Sequence, residues 1–244
     1  MARRPARKIF CSIVSDLTEI TVRRIAVMTT LTKCRPRHEA IEPLQDLRFS
    51  ALLGQAAWAS LPEAVQKRFA KRLDPKTAIT YAGEIIESRR TWYGRALAEL
   101  ARVIGAPLPL GDDIGVAAVV TVTEDTATGG QFWTRLYGRQ KGFPQVIHSS
   151  KRFAGPTGLE EYLGGGFGIA LRVTAQNQAL NFHSDHCFVA LGPARLRLPR
   201  WIAPGALTIT HEDRGDGAFA FILSLRHAWF GEVLRQTALF RERG

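Results

Sequence analysis

The chain has 244 residues, 45% of them hydrophobic and 23% charged, which suits one large domain or two small ones with a sizeable core. Its formal charge is +11, but residues 1–40 hold nine Lys/Arg against three Asp/Glu, and the remaining 24 basic and 19 acidic residues are interleaved. That scatter argues against a nucleic-acid module, which gathers its cations in a stripe. No apolar run reaches the roughly 20 residues a spanning helix needs, so no transmembrane segment is expected.

Cys11, Cys34 and Cys187 are widely spaced, with no CxxC pair. This fits neither a disulfide framework nor a structural zinc site, and points to a reducing, cytoplasmic setting. Residues 1–44 read as a basic, loosely ordered tail broken by Arg35-Pro36-Arg37 and Glu42-Pro43, and residues 45–244 as a single domain.

Leu47, Leu52, Leu53, Ala56 and Ala57 recur at helical spacing. Ser60-Leu61-Pro62-Glu63 has the pattern of a capping box opening a second helix through Val65 and Phe69. Thr77–Glu87 reads as a first strand, bulged at Gly83. Trp92 to Ile104 is the clearest helix, with Trp92, Ala96, Leu100 and Ile104 on the stripe expected to meet the core and Gly105 as its cap.

Strand patterns then take over: 116–123, 132–137, 146–153, 167–173 and 180–188, each bounded by turn residues. Three more run from Pro199 to Phe240. Leu207 and Ile209 share one face, as do Phe219, Phe221, Leu223 and Leu225, and Val233–Phe240 returns after Phe230-Gly231. Eight to ten strands this close together leave no room for helical crossovers. The expected fold is α+β: a curved, largely antiparallel sheet with N-terminal helices packed on it. A half-barrel cupping the Trp92–Ile104 helix is the first choice, and a closed lipocalin-like barrel the second.

No catalytic signature or metal-binding spacing stands out. His183-Ser184-Asp185-His186-Cys187 collects potential ligands, yet reads better as hydrogen-bonded surface. Gly164-Gly165-Gly166 leads into a strand, so it is a hairpin connection rather than a phosphate loop. Adjacent acids such as Glu160-Glu161 beside turn residues read as solvated.

Trp133, Arg135 and Tyr137 share one strand face, while Phe132, Thr134 and Leu136 share the other. Large groups on both faces suggest that one of them lines a cavity. Arg135 is then either stacked between two aromatics or an anchor for an anionic group. Arg152 and Arg200 are further candidate anchors, and Trp201, pinned between Pro199 and Pro204, either packs or gates a pocket mouth. The functional expectation is a non-catalytic binder of a small, mostly apolar ligand, without cofactor. The alternatives are an interaction or accessory module, or an unrecognised enzyme.

RFSALLGQAAWASLPEAVQKRF, GEIIESRRTWYGRALAELARVIGAPLP, FWTRLYG, LPRWIAP and DGAFAFILSLRHAWFGEVLRQTALF together resemble the bacterial family catalogued as domain of unknown function 4166, over about residues 47–241. The resemblance implies no activity. It implies that such domains stand alone or beside Rossmann-type oxidoreductase domains, which makes an oxidoreductase a candidate partner. No partner domain of that kind is present here, so no cofactor is carried over. The HSDHC cluster and the basic 1–40 segment depart from the family pattern.

Overall fold

The computed structural model describes residues 44–192 and 194–241; the expected basic tail lies outside the described residues. Ten antiparallel strands close into a barrel: β3 (Ala78–Arg90), β4 (Val116–Asp125), β5 (Gly130–Tyr137), β6 (Gln145–Arg152), β7 (Leu159–Gly164), β8 (Phe167–Gln176), β9 (Ala179–Leu191), β11 (Ala206–Gly215), β12 (Ala218–His227) and β13 (Gly231–Arg241). A two-stranded ribbon, β1 (Leu44–Gln45) with β2 (Lys71–Arg72), precedes the barrel. The short β10 (Ala194–Arg197) extends along the same edge of β9 that β11 uses further down.

Turn chemistry sets this up-and-down order. Asn177 and Gln178 lie at φ 52 and 58, and Asp216 and Gly217 at φ 49 and 70. These left-handed pairs make tight hairpins whose twist matches the flanking strands.

Closure corrects the half-barrel expectation. The first and last barrel strands pair from Leu234↔Arg90 to Arg241↔Ala82, and β9 pairs with both β8 and β11. Closing the sheet removes its open edges, which would otherwise expose unpaired backbone groups. The barrel has ten strands where lipocalins have eight. Eight give an interior just wide enough for side chains or one small ligand, so ten must fill more space or leave some empty.

One end is plugged. Helices α1 (Arg48–Leu53), α2 (Gln55–Ala59) and α3 (Glu63–Phe69) bring Phe49, Leu61, Val65 and Phe69 against Leu159, Leu171, Leu180 and Phe182 of the strands. Phe49 meets Phe69, Phe153 and Phe182 edge-on at 5.0–6.1 Å between ring centres. The capping box does not form. Ser60 donates instead to the Ala57 carbonyl at the end of α2, and α3 starts from Pro62 without a side-chain cap.

The other end carries helix α4 (Trp92–Leu100), continued by a 3₁₀ turn, Ala101–Ile104. Thr91 caps α4 by accepting from the Gly94 amide, and Gly105 ends the turn at φ 99. The buried face is not the expected stripe. Gly94 and Ala98 are buried, whereas Trp92 is 71% and Leu100 68% exposed. A Cβ on Gly94 would stand 2.1 Å from the Val233 carbonyl oxygen. The small residues therefore select the face by letting the helix lie on the β13 backbone. Gly83 plays a comparable part on β3, where an added Cβ would meet the Leu239 carbonyl at 2.0 Å. The bulge of β3 falls at Ile86, between Ile85 and Glu87, rather than at Gly83.

Candidate functional site in the barrel lumen

Alternation along the strands decides what enters the lumen. On β5, Trp133, Arg135 and Tyr137 point inward as a set, while Phe132 on the other face is 45% exposed. Across β6, Trp133 pairs with Ser149 and Arg135 with Ile147; across β7, Lys151 pairs with Glu161. The register therefore gathers Arg135, Ser149, Lys151 and Glu161 in one patch of the inner wall.

This patch is a buried ionic network. Lys151 Nζ lies 2.9 Å from Glu161 Oε2, with both side chains 4% exposed or less. Arg135 donates to Glu161 Oε1 at 3.1 Å and to Ser149 Oγ at 2.9 Å, and Ser149 donates to Glu161 Oε1 at 2.6 Å. Lys151 Nζ also sits 5.0 Å from the Trp133 ring centre and 5.6 Å from that of Phe182. Both rings offer their electron-rich faces to the ammonium.

Burial alone would push the Glu161 carboxyl up. The charges of Lys151 and Arg135, with the Lys151 and Ser149 hydrogen bonds, outweigh it and hold the group at about 2. Burial pulls the Lys151 ammonium down from its ordinary value, against the attraction of Glu161. With Glu161 ionised, the patch sets two cations against one carboxylate. Among the described residues lining this chamber Glu161 is the single acid against Arg135 and Lys151, a formal excess of one positive charge. The Tyr137 hydroxyl and the Gln236 amide also line it, and neither makes a side-chain hydrogen bond among the described residues.

Among the described residues the lumen holds an inner and an outer chamber, with a smaller cavity of about 30 Å³ beside the plug at Phe69, Trp133 and His211. The inner chamber, of about 100 Å³, is bounded by the ionic patch, Trp133, Phe182, Phe221 and Phe240. The outer chamber, of about 270 Å³, lies under the α4–3₁₀ segment and is almost wholly apolar, lined by Leu97, Leu100, Val103, Phe167, Ile202 and Leu225 among others. Both chambers touch Pro107, Leu108, Leu163, Ile169 and Leu207. The triple glycine forms the β7–β8 connection as expected, and it seats the roof: a Cβ on Gly164 would come 2.5 Å from the Ile104 carbonyl oxygen.

Of the sequence candidates, Trp133, Arg135 and Tyr137 meet in the inner chamber. Arg152 lies on the outer face, 4.2 Å over the Tyr162 ring and 3.9 Å from Asp125. Arg200 and Trp201 lie on the loop beside the outer chamber, both exposed, Trp201 by 79%. Sequence reasoning missed Lys151, Glu161, Ser149 and Gln236. The expectation that Glu160-Glu161 is solvated is overturned, since both are buried. The overlooked signal was alternation: Leu159, Glu161 and Leu163 form one inward set.

The side chains of the HSDHC segment do not gather at one site. A bulge at Asp185 breaks its alternation, so Ser184 and Cys187 line the outer chamber while His183 lies outside between Thr174 and Thr208. Asp185 is taken up by His186 and Arg172, each at 2.7 Å. His211 is lumen-side near the plug, among Phe69, Phe219 and Phe221, and burial lowers it to about 3.

These features define a class: closed antiparallel barrels with an internal cavity, plugged at one end and roofed by a helix at the other. Within it, the chain belongs to the family described as domain of unknown function 4166, whose family model matches residues 61–240. No curated protein and no solved structure matches the chain.

Proposed function

We propose that this chain is a non-catalytic binder of a small amphipathic ligand, with the apolar part in the outer chamber and an anionic head at Arg135, Tyr137 and Gln236. The observation that carries the reading is the unfilled lumen with a net positive, buried patch at its inner end. Binding sites for small molecules are concave, mostly apolar, and oriented by few polar groups. An anionic head would balance the second cation of the patch and give hydrogen bonds to the two groups that lack them.

Size narrows the ligand. A water's share of liquid volume is about 30 Å³, and a methylene is comparable. The chambers then hold roughly a dozen non-hydrogen atoms, the size of a ten-carbon carboxylate. Arg152 has no place in this scheme, because it faces outward. Trp201 and Arg200 stand at the mouth rather than in the binding chamber. The reading requires neither a cofactor nor an oxidoreductase partner.

Calorimetric titration with decanoate, and with decanol as a neutral match, tests it. Charge-assisted hydrogen bonds contribute about 1.5–3 kcal/mol, so Arg135→Met should weaken decanoate roughly ten- to a hundred-fold and leave decanol nearly unchanged. Glu161 keeps Lys151 as its partner in that variant, so the fold should survive. Failure of the wild-type protein to bind either probe would sink the proposal.

A further inference from the structure

The roofed end of the barrel carries an unusual surface. Three of the chain's five tryptophans stand there: Trp92, Trp201 and Trp229 are 71%, 79% and 84% exposed. Phe230, Leu100, Val103 and Ile202 add exposed apolar area on the same end. They come from three separate connections: the α4–3₁₀ segment, the β10–β11 loop and the β12–β13 turn. Folding alone does not explain leaving so much aromatic area in water.

The charges at this end are lopsided. Each local carboxylate is matched with arginine: Asp112 with Arg90 and Arg95, Asp113 with Arg139, Glu99 with Arg102, and Glu232 with Arg235. Arg197, Arg200 and Arg226 are exposed, and none has a carboxylate within 4 Å among the described residues. The surface therefore presents tryptophan and surplus arginine with no acid to spare.

We propose that this end docks on the headgroup layer of an anionic lipid bilayer. Tryptophan favours the boundary between headgroups and acyl chains, where its ring is apolar and its N–H stays solvated. Arginines beside it meet the negative surface potential of anionic lipids. No described helix is long and apolar enough to cross a membrane, and the exposed tryptophans and arginines sit on loop tips and at helix and strand ends, so the proposed contact is made there. Leu100, Val103 and Ile202 line the outer chamber and are exposed as well. The docked face is therefore the mouth of the lumen, and a ligand would pass between barrel and acyl layer without crossing bulk water.

The test uses the full chain and vesicles of phosphatidylcholine alone or with 30% phosphatidylglycerol added, at physiological salt. Wild type should co-sediment with the anionic vesicles roughly a hundred-fold more strongly than with neutral ones, given three unpaired arginines. Vesicles with brominated acyl chains should quench its tryptophan fluorescence. Arg197→Gln/Arg200→Gln/Arg226→Gln should lose at least ten-fold in binding, and Trp201→Ser/Trp229→Ser should lose the quenching. All five positions are exposed, so melting temperatures should hold. Residues 1–40 are themselves basic, and the variants separate the two sources: sedimentation and quenching equal to wild type in both would assign attraction to that segment and overturn the proposal. Absence of wild-type binding would overturn it too. Vesicle binding needs no ligand in the lumen, so this proposal and the decanoate titration succeed or fail separately.

Discussion

Replacing Glu161 with Gln tests the ionic patch at its centre. Among the described residues the carboxylate is the sole acidic partner of Lys151, whose side chain is 4% exposed, and it also binds Arg135, whose side chain is 18% exposed. Gln keeps the shape and removes the charge, leaving two cations facing each other in a poorly hydrated lumen. Removing one partner of a buried pair costs about 3–5 kcal/mol. For a domain near 200 residues that lowers the melting temperature by about 2–4 °C per kcal/mol, or roughly 6–20 °C. Pairing the change with Lys151→Met should restore at least half of the loss, because the stranded ammonium is then gone and Arg135 is the better solvated of the two cations. Urea and thermal unfolding followed by circular dichroism give the full double-mutant cycle, with coupling expected above about 1 kcal/mol for residues in contact. A single variant as stable as wild type, or a double variant showing the plain sum of the two losses, would refute the account of the patch.

The same group gives a signature in acid. Its folded value of about 2 lies below the ordinary 4.5, so its contribution is fully present above pH 4.5 and is lost as pH falls towards 2; the acid limb of a stability-against-pH curve should flatten in Glu161→Gln. His211 acts at higher pH: buried neutral at about 3 against an ordinary 6.5, it costs stability as pH drops from 6.5 towards 3, where the unfolded chain binds the extra proton. His211→Phe should remove that slope, roughly 1.4 kcal/mol per pH unit at its steepest, and a slope unchanged between pH 6 and 4.5 would contradict this. Gly94→Ala should destabilise by about 1–3 kcal/mol through overpacking against Val233, although alanine is the better helix former; equal or greater stability would mean that α4 does not rest on β13 as described. Deleting residues 1–40 should leave the melting temperature unchanged, since that segment gathers charge without an apolar period; a loss of several degrees would argue that it packs on the barrel.

Local pattern carried the strands well, and long-range closure hardly at all. Trp133, Arg135 and Tyr137 could be assigned to one face because a strand alternates with period two. Whether that face meets a helix or a lumen depends on Arg90 pairing with Leu234, 144 positions away in the chain, which no local window spans. The α4 stripe misled because large apolar residues dominate a helical pattern. The packing face was set by Gly94 and Ala98, whose value is what they lack. Glu161 was misread for a related reason: beside Glu160 it looks like solvated loop acid, and only its cross-strand partner Lys151 reveals why a carboxylate sits in the wall. The bulge at Asp185 likewise reversed the faces of Cys187 and His183, and a one-residue bulge leaves no mark in composition.

The central claim is that the lumen holds a ligand, and native mass spectrometry with added decanoate addresses it most directly. Leu163 touches both chambers, so Leu163→Trp should fill the passage between them. The account predicts a saturating one-to-one complex with wild type and its loss in the folded variant. A complex equally abundant in both proteins, or absent from both, would contradict it.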